Sequence, residues 1–451
     1  MDYTVTTPCG TLRGTPGNLP GVAAYKGIRY ATAGRWEYPK PVTHWDGIYD
    51  ATQYGSCCFQ PRSFYNEAKN LKKVFYYNEF RKGESYSYSE DCLYLNIWTP
   101  DTTRPGDKLP VLVYIHGGGF TGGCGQEKHF DGPVWPTMGV IGVTLNYRLG
   151  PLGFACLPEL KAEAGCTGNY GLYDQAAALQ WIHDNISSFG GDPEKVTIMG
   201  QSAGAMSVQQ LCLSPMTEGL FHGAVMSSGG GVTKAMSVSP AEKQYTFWNT
   251  VMAKAQCADL QQLRAISPER LFIAWDEAKQ EVKGAGAMPC LDGHLIVGTG
   301  TELLSSGKIK DIPYLCGSNS QDIVPPFLYS MAKSWCAAQK KPSYVWFFDR
   351  KLPGDNCGAW HSADLWYWFG TLRNAWRPWE QKDRLLEQQM TGYLTNFVKT
   401  GNPNGENLPT WDPMDSKRSP VLRLGEGETR MGKPSIAKLL ITMLTNKAVG
   451  E

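Results

Sequence analysis

Apolar residues in this chain gather in short, nearly unbroken runs. Val111-Leu112-Val113-Tyr114-Ile115, Val196-Thr197-Ile198-Met199, Ile312-Pro313-Tyr314-Leu315 and Tyr344-Val345-Trp346-Phe347-Phe348 are the clearest. A strand with one wet face alternates apolar and polar residues, whereas a strand buried on both faces reads as a continuous run. Helix-like stretches such as Tyr173 to Phe189 and Asp383 to Thr400 lie among these runs. Strands and helices in alternation predict an α/β fold: a central, mostly parallel, twisted sheet flanked by helices. Roughly the first 30 residues break into short strands and turns, which predicts a short antiparallel N-terminal lead-in. No linker, repeat or low-complexity tract interrupts the chain, so residues 1–451 are expected to form one domain.

Two of the runs end in glycine-rich turns that carry chemistry. Val196–Met199 stops in Gly200-Gln201-Ser202-Ala203-Gly204. A strand that turns into a helix through such a pentapeptide sets one serine on a sharp, exposed corner. Glycine is needed at both ends because a side chain there would collide across the turn. The N-terminus of the following helix points N–H groups and a positive dipole end at the serine. Ser202 is therefore a candidate nucleophile and the chain a candidate hydrolase. An ordinary glycine-bounded turn would explain the pentapeptide alone, but a second motif agrees with the first. Val111–Ile115 ends in His116-Gly117-Gly118-Gly119-Phe120, and three glycines after a strand let backbone N–H groups point into a cavity. Gly118, Gly119 and Ala203 are the expected donors to a tetrahedral oxyanion.

A serine nucleophile needs a base, and the base needs an orienting carboxylate. In this strand-turn-helix setting they follow the serine in the order acid, then histidine. Only His222, His294 and His361 follow Ser202. His222 lies on the approach to a core strand and His294 in a turn, so both read as structural. His361 lies on a Gly/Asp-rich loop beyond the late strand Tyr344–Phe348. Asp322 follows the strand Ile312–Gly317 and is the expected acid, with Asp349 and Asp355 as rivals near His361.

Longer motifs carry a family resemblance. They include Tyr25-Lys26-Gly27-Ile28-Arg29-Tyr30-Ala31, Ser89-Glu90-Asp91-Cys92-Leu93-Tyr94-Leu95-Asn96-Ile97-Trp98 and Asn146-Tyr147-Arg148-Leu149-Gly150. Further along come Gly168-Asn169-Tyr170-Gly171-Leu172-Tyr173-Asp174-Gln175, Phe189-Gly190-Gly191-Asp192-Pro193 and Phe397-Val398-Lys399-Thr400-Gly401-Asn402-Pro403-Asn404-Gly405. Through them nearly the whole chain resembles the type-B carboxylesterases, the group of para-nitrobenzyl esterases, liver carboxylesterases and cholinesterases. The resemblance implies an α/β-hydrolase fold, Ser202 as nucleophile, and His361 as base by its match at Gly358-Ala359-Trp360-His361. Asp322 stands where the family usually has glutamate, one methylene longer. The family's disulfide positions fall on Cys58 and Cys92, expected here as free thiols. Glu90, Arg148 and Asp174 sit in family motifs as structural ion-pair or turn residues.

Two departures from the family bear on substrate. Only 39 residues separate Asp322 from His361, a stretch that in the family is longer and roofs the active-site gorge. A shortened lid predicts a wide, shallow cleft, its lining drawn from Phe120 and from Trp360, Trp366, Tyr367 and Trp368 around His361. Lys82 lies near where cholinesterases carry their choline-binding tryptophan, which argues against a choline-ester specialist.

Composition removes other classes. A net charge of +1 gives no electrostatic case for nucleic acid or a membrane surface. No 18-residue apolar stretch, phosphate loop or Cys/His metal spacing is present, so no membrane span, cofactor or metal is expected. The N-terminus has no secretory pattern and the 13 cysteines are odd in number, which together predict reduced thiols in the cytoplasm. Asn185-Ile186-Ser187 then reads as a helix end rather than a glycosylation site. The expected activity is hydrolysis of small-molecule carboxylic esters. An amidase or lipase on the same site and a non-catalytic cholinesterase-like interaction protein are the alternatives. An interaction protein has no need of Ser202, Gly118, Gly119 and His361 together. The residues do not indicate an oligomeric state.

Overall fold

The computed structural model describes residues 3–70, 73–231, 238–283 and 286–445. The chain opens with β1 (Thr4–Thr7) and β2 (Gly10–Arg13), paired antiparallel from Thr4↔Arg13 to Thr7↔Gly10. Next come β3 (Thr15–Pro16), β4 (Val22–Arg29) and β5 (Ile48–Asp50), the last lying parallel to β2. The remaining strands of the central sheet are β6 (Tyr94–Pro100), β7 (Leu109–Ile115), β8 (Ile141–Leu145) and β9 (Gly191–Gln201). After them come β10 (Gly223–Ser227), β11 (Tyr314–Asn319), β12 (Tyr344–Phe348), β13 (Val421–Leu424) and β14 (Arg430–Gly432). They build an 11-stranded sheet in the order β14-β13-β12-β11-β10-β9-β7-β8-β6-β4-β3. From β8 through to β13 every neighbour pairs parallel, and antiparallel strands close both edges.

The continuous apolar runs arise because alternate residues of one strand enter two different cores. Val111, Val113 and Ile115 of β7 pack with Leu179, Ile182 and Val208 on one face. Leu112 and Tyr114 of the same strand pack with Met390, Leu394 and Phe397 on the other. Period-two geometry makes this split automatic once both faces are covered. The helices that matter here are α1 (Val74–Phe80), α2 (Tyr170–Asn185), α3 (Ala203–Leu213) and α4 (Pro268–Glu281). They are followed by α5 (Pro325–Cys336), α6 (Leu365–Phe369) and α7 (Gln381–Thr400). The expected helix from Tyr173 to Phe189 begins one turn earlier. Its last residues, Ile186–Phe189, tighten into a 3₁₀ turn closed by Gly190 at φ +81°. Arg148 and Asp174 form a fully buried pair, with Asp174 accepting from the Arg148 backbone N–H, Nε and Nη2 at 2.7–3.0 Å. Glu90 pairs with Arg35 in the same structural role.

Candidate active site

Strand β9 ends at Gln201 and α3 begins at Ala203, so Ser202 alone makes the corner. Its backbone sits at φ 57°, ψ −126°, a conformation that costs a non-glycine residue about 1–3 kcal/mol. Neighbours on both sides impose it. Ser202 N–H donates to Ser227 O of β10 at 2.9 Å, and Ser202 O accepts from Met206 at 3.0 Å. A Cβ on Gly200 would meet Gly204 O at 2.2 Å, and one on Gly204 would meet Ile115 O at 2.1 Å. Only glycine allows α3 to start this close to the strand ends.

Beside the corner, β7 runs into a loop in which Gly118, Gly119 and Gly123 all take positive φ. The loop folds onto itself: Gly118 O accepts the N–H groups of Thr121 and Gly122 at 3.1 Å. His116 Nδ1 donates to Gly117 O at 2.8 Å while its ring stacks on Tyr147. Burial depresses the His116 pKa to about 4, so the ring stays neutral and serves as a fixed donor. Among the described residues, the N–H groups of Gly118, Gly119 and Ala203 have no acceptor. Unspent backbone donors beside a strained serine can stabilise an anionic oxygen bound there.

His361 and Asp322 arrive from two loops stitched together. Gln321 N–H donates to Ala359 O at 3.1 Å, and Gln321 Oε1 accepts from Ala359 N–H at 2.7 Å. Gly358, at φ +69°, leaves room for that side chain, since a Cβ there would lie 1.4 Å from Gln321 Oε1. Gln201 Nε2, next to the serine, donates to His361 O at 2.8 Å. The result is a hydrogen bond between His361 Nδ1 and Asp322 Oδ1. Asp322 is buried and also accepts from Ser228 Oγ (2.6 Å), Asn319 N–H (3.0 Å) and Ile323 N–H (3.2 Å). His361 Nε2 is buried with no hydrogen-bond partner among the described residues, which leaves it free to exchange a proton.

Sequence reasoning passed over a second carboxylate beside this pair. Asp364 is completely buried and accepts from Ser227 Oγ (2.7 Å), Asn319 Nδ2 (3.1 Å) and Trp368 Nε1 (3.1 Å). Burial raises its pKa to about 6, the Asp322 charge adds to the rise, and the hydrogen bonds oppose it. Its only sequence mark is a position three residues after His361.

Ser202, His361, Gly118 and Gly119 line one cavity of about 570 Å³. Its wall departs from the sequence expectation. Trp360 does line it, edge-on to Phe75 and Tyr76. Phe120 instead turns into the core against Phe154, 5.0 Å away. Trp366 is buried outside the cavity lining, against Phe80 and His129 with Nε1 on Glu79. Tyr367 and Trp368 are spent on Asp383 and Asp364. Much of the wall comes from distant sequence: Tyr65, Tyr76, Phe80 and Arg81 from residues 61–81, and Trp275, Asp276 and Lys279 from α4. Between Asp322 and His361 the chain forms α5 and β12, and of the residues in this span only Ile323 and Trp360 line the cavity.

The other candidates lie elsewhere. His222 pairs with Glu194 at 3.5 Å and His294 is an exposed turn residue. Asp349 bonds Arg423, and Asp355 accepts from Arg377 at 2.7 Å. His129, which shares the cavity, is clamped between Phe80 and Phe130, and burial lowers its pKa to about 3.

Comparison with known proteins identifies the family. The model of the carboxylesterase family matches residues 1–334 and 325–438. A para-nitrobenzyl esterase of Bacillus subtilis (strain 168) is 34% identical over 90% of this chain and 92% of its own. A cocaine esterase of Homo sapiens is 28% identical over 90% and 84%. A solved PNB esterase structure superposes with a TM-score of 0.83 at 29% identity, covering 98% of this chain and 99% of its own. With an α/β-hydrolase sheet, a serine corner and a family match along almost its whole length, the chain belongs to the carboxylesterase family and is a carboxylic ester hydrolase.

Proposed function

We propose that this chain cleaves small-molecule esters through an acyl-enzyme on Ser202, as one domain in the cytoplasm. Ser202 Oγ attacks the acyl carbon while His361 Nε2 takes its proton. Asp322 keeps His361 in the tautomer protonated at Nδ1 and stabilises the imidazolium. The N–H groups of Gly118, Gly119 and Ala203 receive the oxyanion. As the tetrahedral adduct collapses, the bond to the alcohol oxygen breaks and the imidazolium proton goes to that oxygen. A water then gives a proton to His361 and attacks the acyl carbon. The acid leaves and the proton returns to Ser202. No step needs a metal or cofactor. The observation that carries the reading is the histidine anchored at Nδ1 by a carboxylate, its Nε2 unspent, in the cavity that holds the strained serine.

The test is a panel of p-nitrophenyl esters of increasing acyl length, with an anilide alongside. Ester turnover should exceed anilide turnover and vanish in Ser202→Ala, whose fold the corner tolerates. Near wild-type turnover in clean Ser202→Ala would sink the mechanism.

A further inference from the structure

The donor loop is anchored at its near end by β7, but its far end, at Gly123, depends on one buried side chain. Gln60 has no exposed surface. Its Oε1 accepts the Gly123 N–H at 3.0 Å, and its Nε2 donates to Gly123 O at 3.1 Å and to Cys58 O at 2.9 Å. One amide thus reads both backbone groups of Gly123, as a neighbouring strand would. Gly123 sits at φ +105°, and a Cβ there would lie 2.5 Å from Gly117 O and from His116 Nδ1. The far end is therefore pressed against the start of the loop, and a shift at Gly123 passes directly to Gly117 and Gly118.

The amide in turn is held in one orientation. Arg62 Nε donates to Gln60 Oε1, which fixes which end of the amide is oxygen. Arg62 Nη1 donates to Glu127 at 2.6 Å. Glu127 also accepts from Arg81, whose other donors reach Glu67 at 2.7 and 2.9 Å. Burial alone would raise the Glu127 pKa, but Arg62 and Arg81 bring it down to about 2. The four charges cancel and none of the side chains is more than 11% exposed, so the chain stays ionised and rigid. A neutral, mutually satisfied cluster is poorly suited to binding a charged substrate; it is well suited to holding something still.

We propose that Gln60, locked by Arg62, is a positioning residue that sets the oxyanion donors of Gly118 and Gly119 through Gly123. This rests on the reading of those groups given under the proposed function. Losing one donor outright costs about 10²–10³ in kcat, and displacing donors costs less. The experiment compares Gln60→Leu, Gln60→Glu and Arg62→Lys with the parent enzyme. It measures kcat and KM on a p-nitrophenyl ester, and Ki for a trifluoromethyl ketone that forms a tetrahedral adduct with the serine. Gln60→Glu can still accept from Gly123 N–H but cannot donate, and Arg62→Lys keeps the charge opposite Glu127 without the Nε donor. The expected result is a roughly ten- to hundred-fold fall in kcat, a parallel rise in Ki for the ketone, and KM within about twofold. A merely structural role would lower the melting temperature without this split. Should Gln60→Leu fail to fold, the other two variants carry the test. Folded variants with kcat and Ki within twofold of the parent overturn the proposal. If Ser202→Ala is inactive while these variants are normal, the positioning role alone fails; if Ser202→Ala is active, the nucleophile assignment fails first.

Discussion

Replacing Asp322 by asparagine preserves shape but sets up a conflict that the structure resolves in one direction. Two donors meet each carboxylate oxygen: Ser228 Oγ and Asn319 N–H at Oδ2, Ile323 N–H and His361 Nδ1 at Oδ1. Asparagine supplies one oxygen and one NH₂, so one side must now face a donor. At the Oδ2 position the NH₂ would oppose the Asn319 backbone N–H, which cannot turn away. At the Oδ1 position it opposes an imidazole that can change tautomer. The hydrogen bond from Ile323 N–H, given up on that side, is the longest of the set at 3.2 Å. The amide nitrogen therefore faces His361. Nδ1 becomes an acceptor, Nε2 carries the proton, and the ring can no longer take one from Ser202. The corresponding change in a serine protease lowers kcat about 10⁴-fold, which is about 5 kcal/mol of transition-state stabilisation. The assay is kcat at saturating p-nitrophenyl ester, with melting temperature as a control for folding. A kcat within tenfold of the parent would refute the argument, most clearly if Asp349→Asn or Asp355→Asn proved crippling. The ion pairs of those two residues with Arg423 and Arg377 speak against that outcome.

Asp364 gives stability a pH dependence. Its carboxyl is raised to about 6 in the fold, so the fold favours the protonated form. The stabilisation is complete below the unfolded value, about 3.9, and is lost as pH rises through 6. A shift of two units is about 3 kcal/mol. Asp364→Asn should therefore gain melting temperature relative to the parent above pH 6 and lose that advantage near pH 4; a pH-independent difference between the two would contradict this. Arg377→Met should be severe, because it strands Glu79, which is 1% exposed and now accepts from Arg377 at 2.6 and 3.2 Å. Leaving a buried charge unpaired costs about 3–5 kcal/mol, and KM should rise as well because Glu79 belongs to α1, which supplies Tyr76 and Phe80 to the cavity wall. An unchanged thermal midpoint would show that water reaches Glu79.

The parts of this protein that were legible in its sequence are those whose physical requirement is local. Gly200 and Gly204 are forced by a turn five residues long, and the apolar runs are forced by two covered sheet faces, so both can be read without knowing what lies opposite. The loop at His361 was legible for the same reason. The cavity wall was not, and proximity in sequence misled there. Phe120, Trp366, Tyr367 and Trp368 all flank the Gly118–Gly119 or His361 motifs, yet each turns away to fill a core or satisfy a buried carboxylate. Nothing in residues 61–81 marks them as a wall, because the partners that complete their charge pairs include Glu127 and Arg377, 46 and 298 residues away from Arg81 and Glu79. The short span between Asp322 and His361 carries no mark of which segments line the cavity. A cavity needs covering only as a matter of solvent exclusion, and any segment that can be anchored over it will serve. Around residues 60–81 the anchors are ion pairs and one glutamine amide, so this part of the cavity wall and the Gly118–Gly123 loop share the same buried supports. Changes at Gln60 and Arg62 should therefore lower turnover, whereas changes at Tyr65, Tyr76 and Phe80 should alter which ester fits.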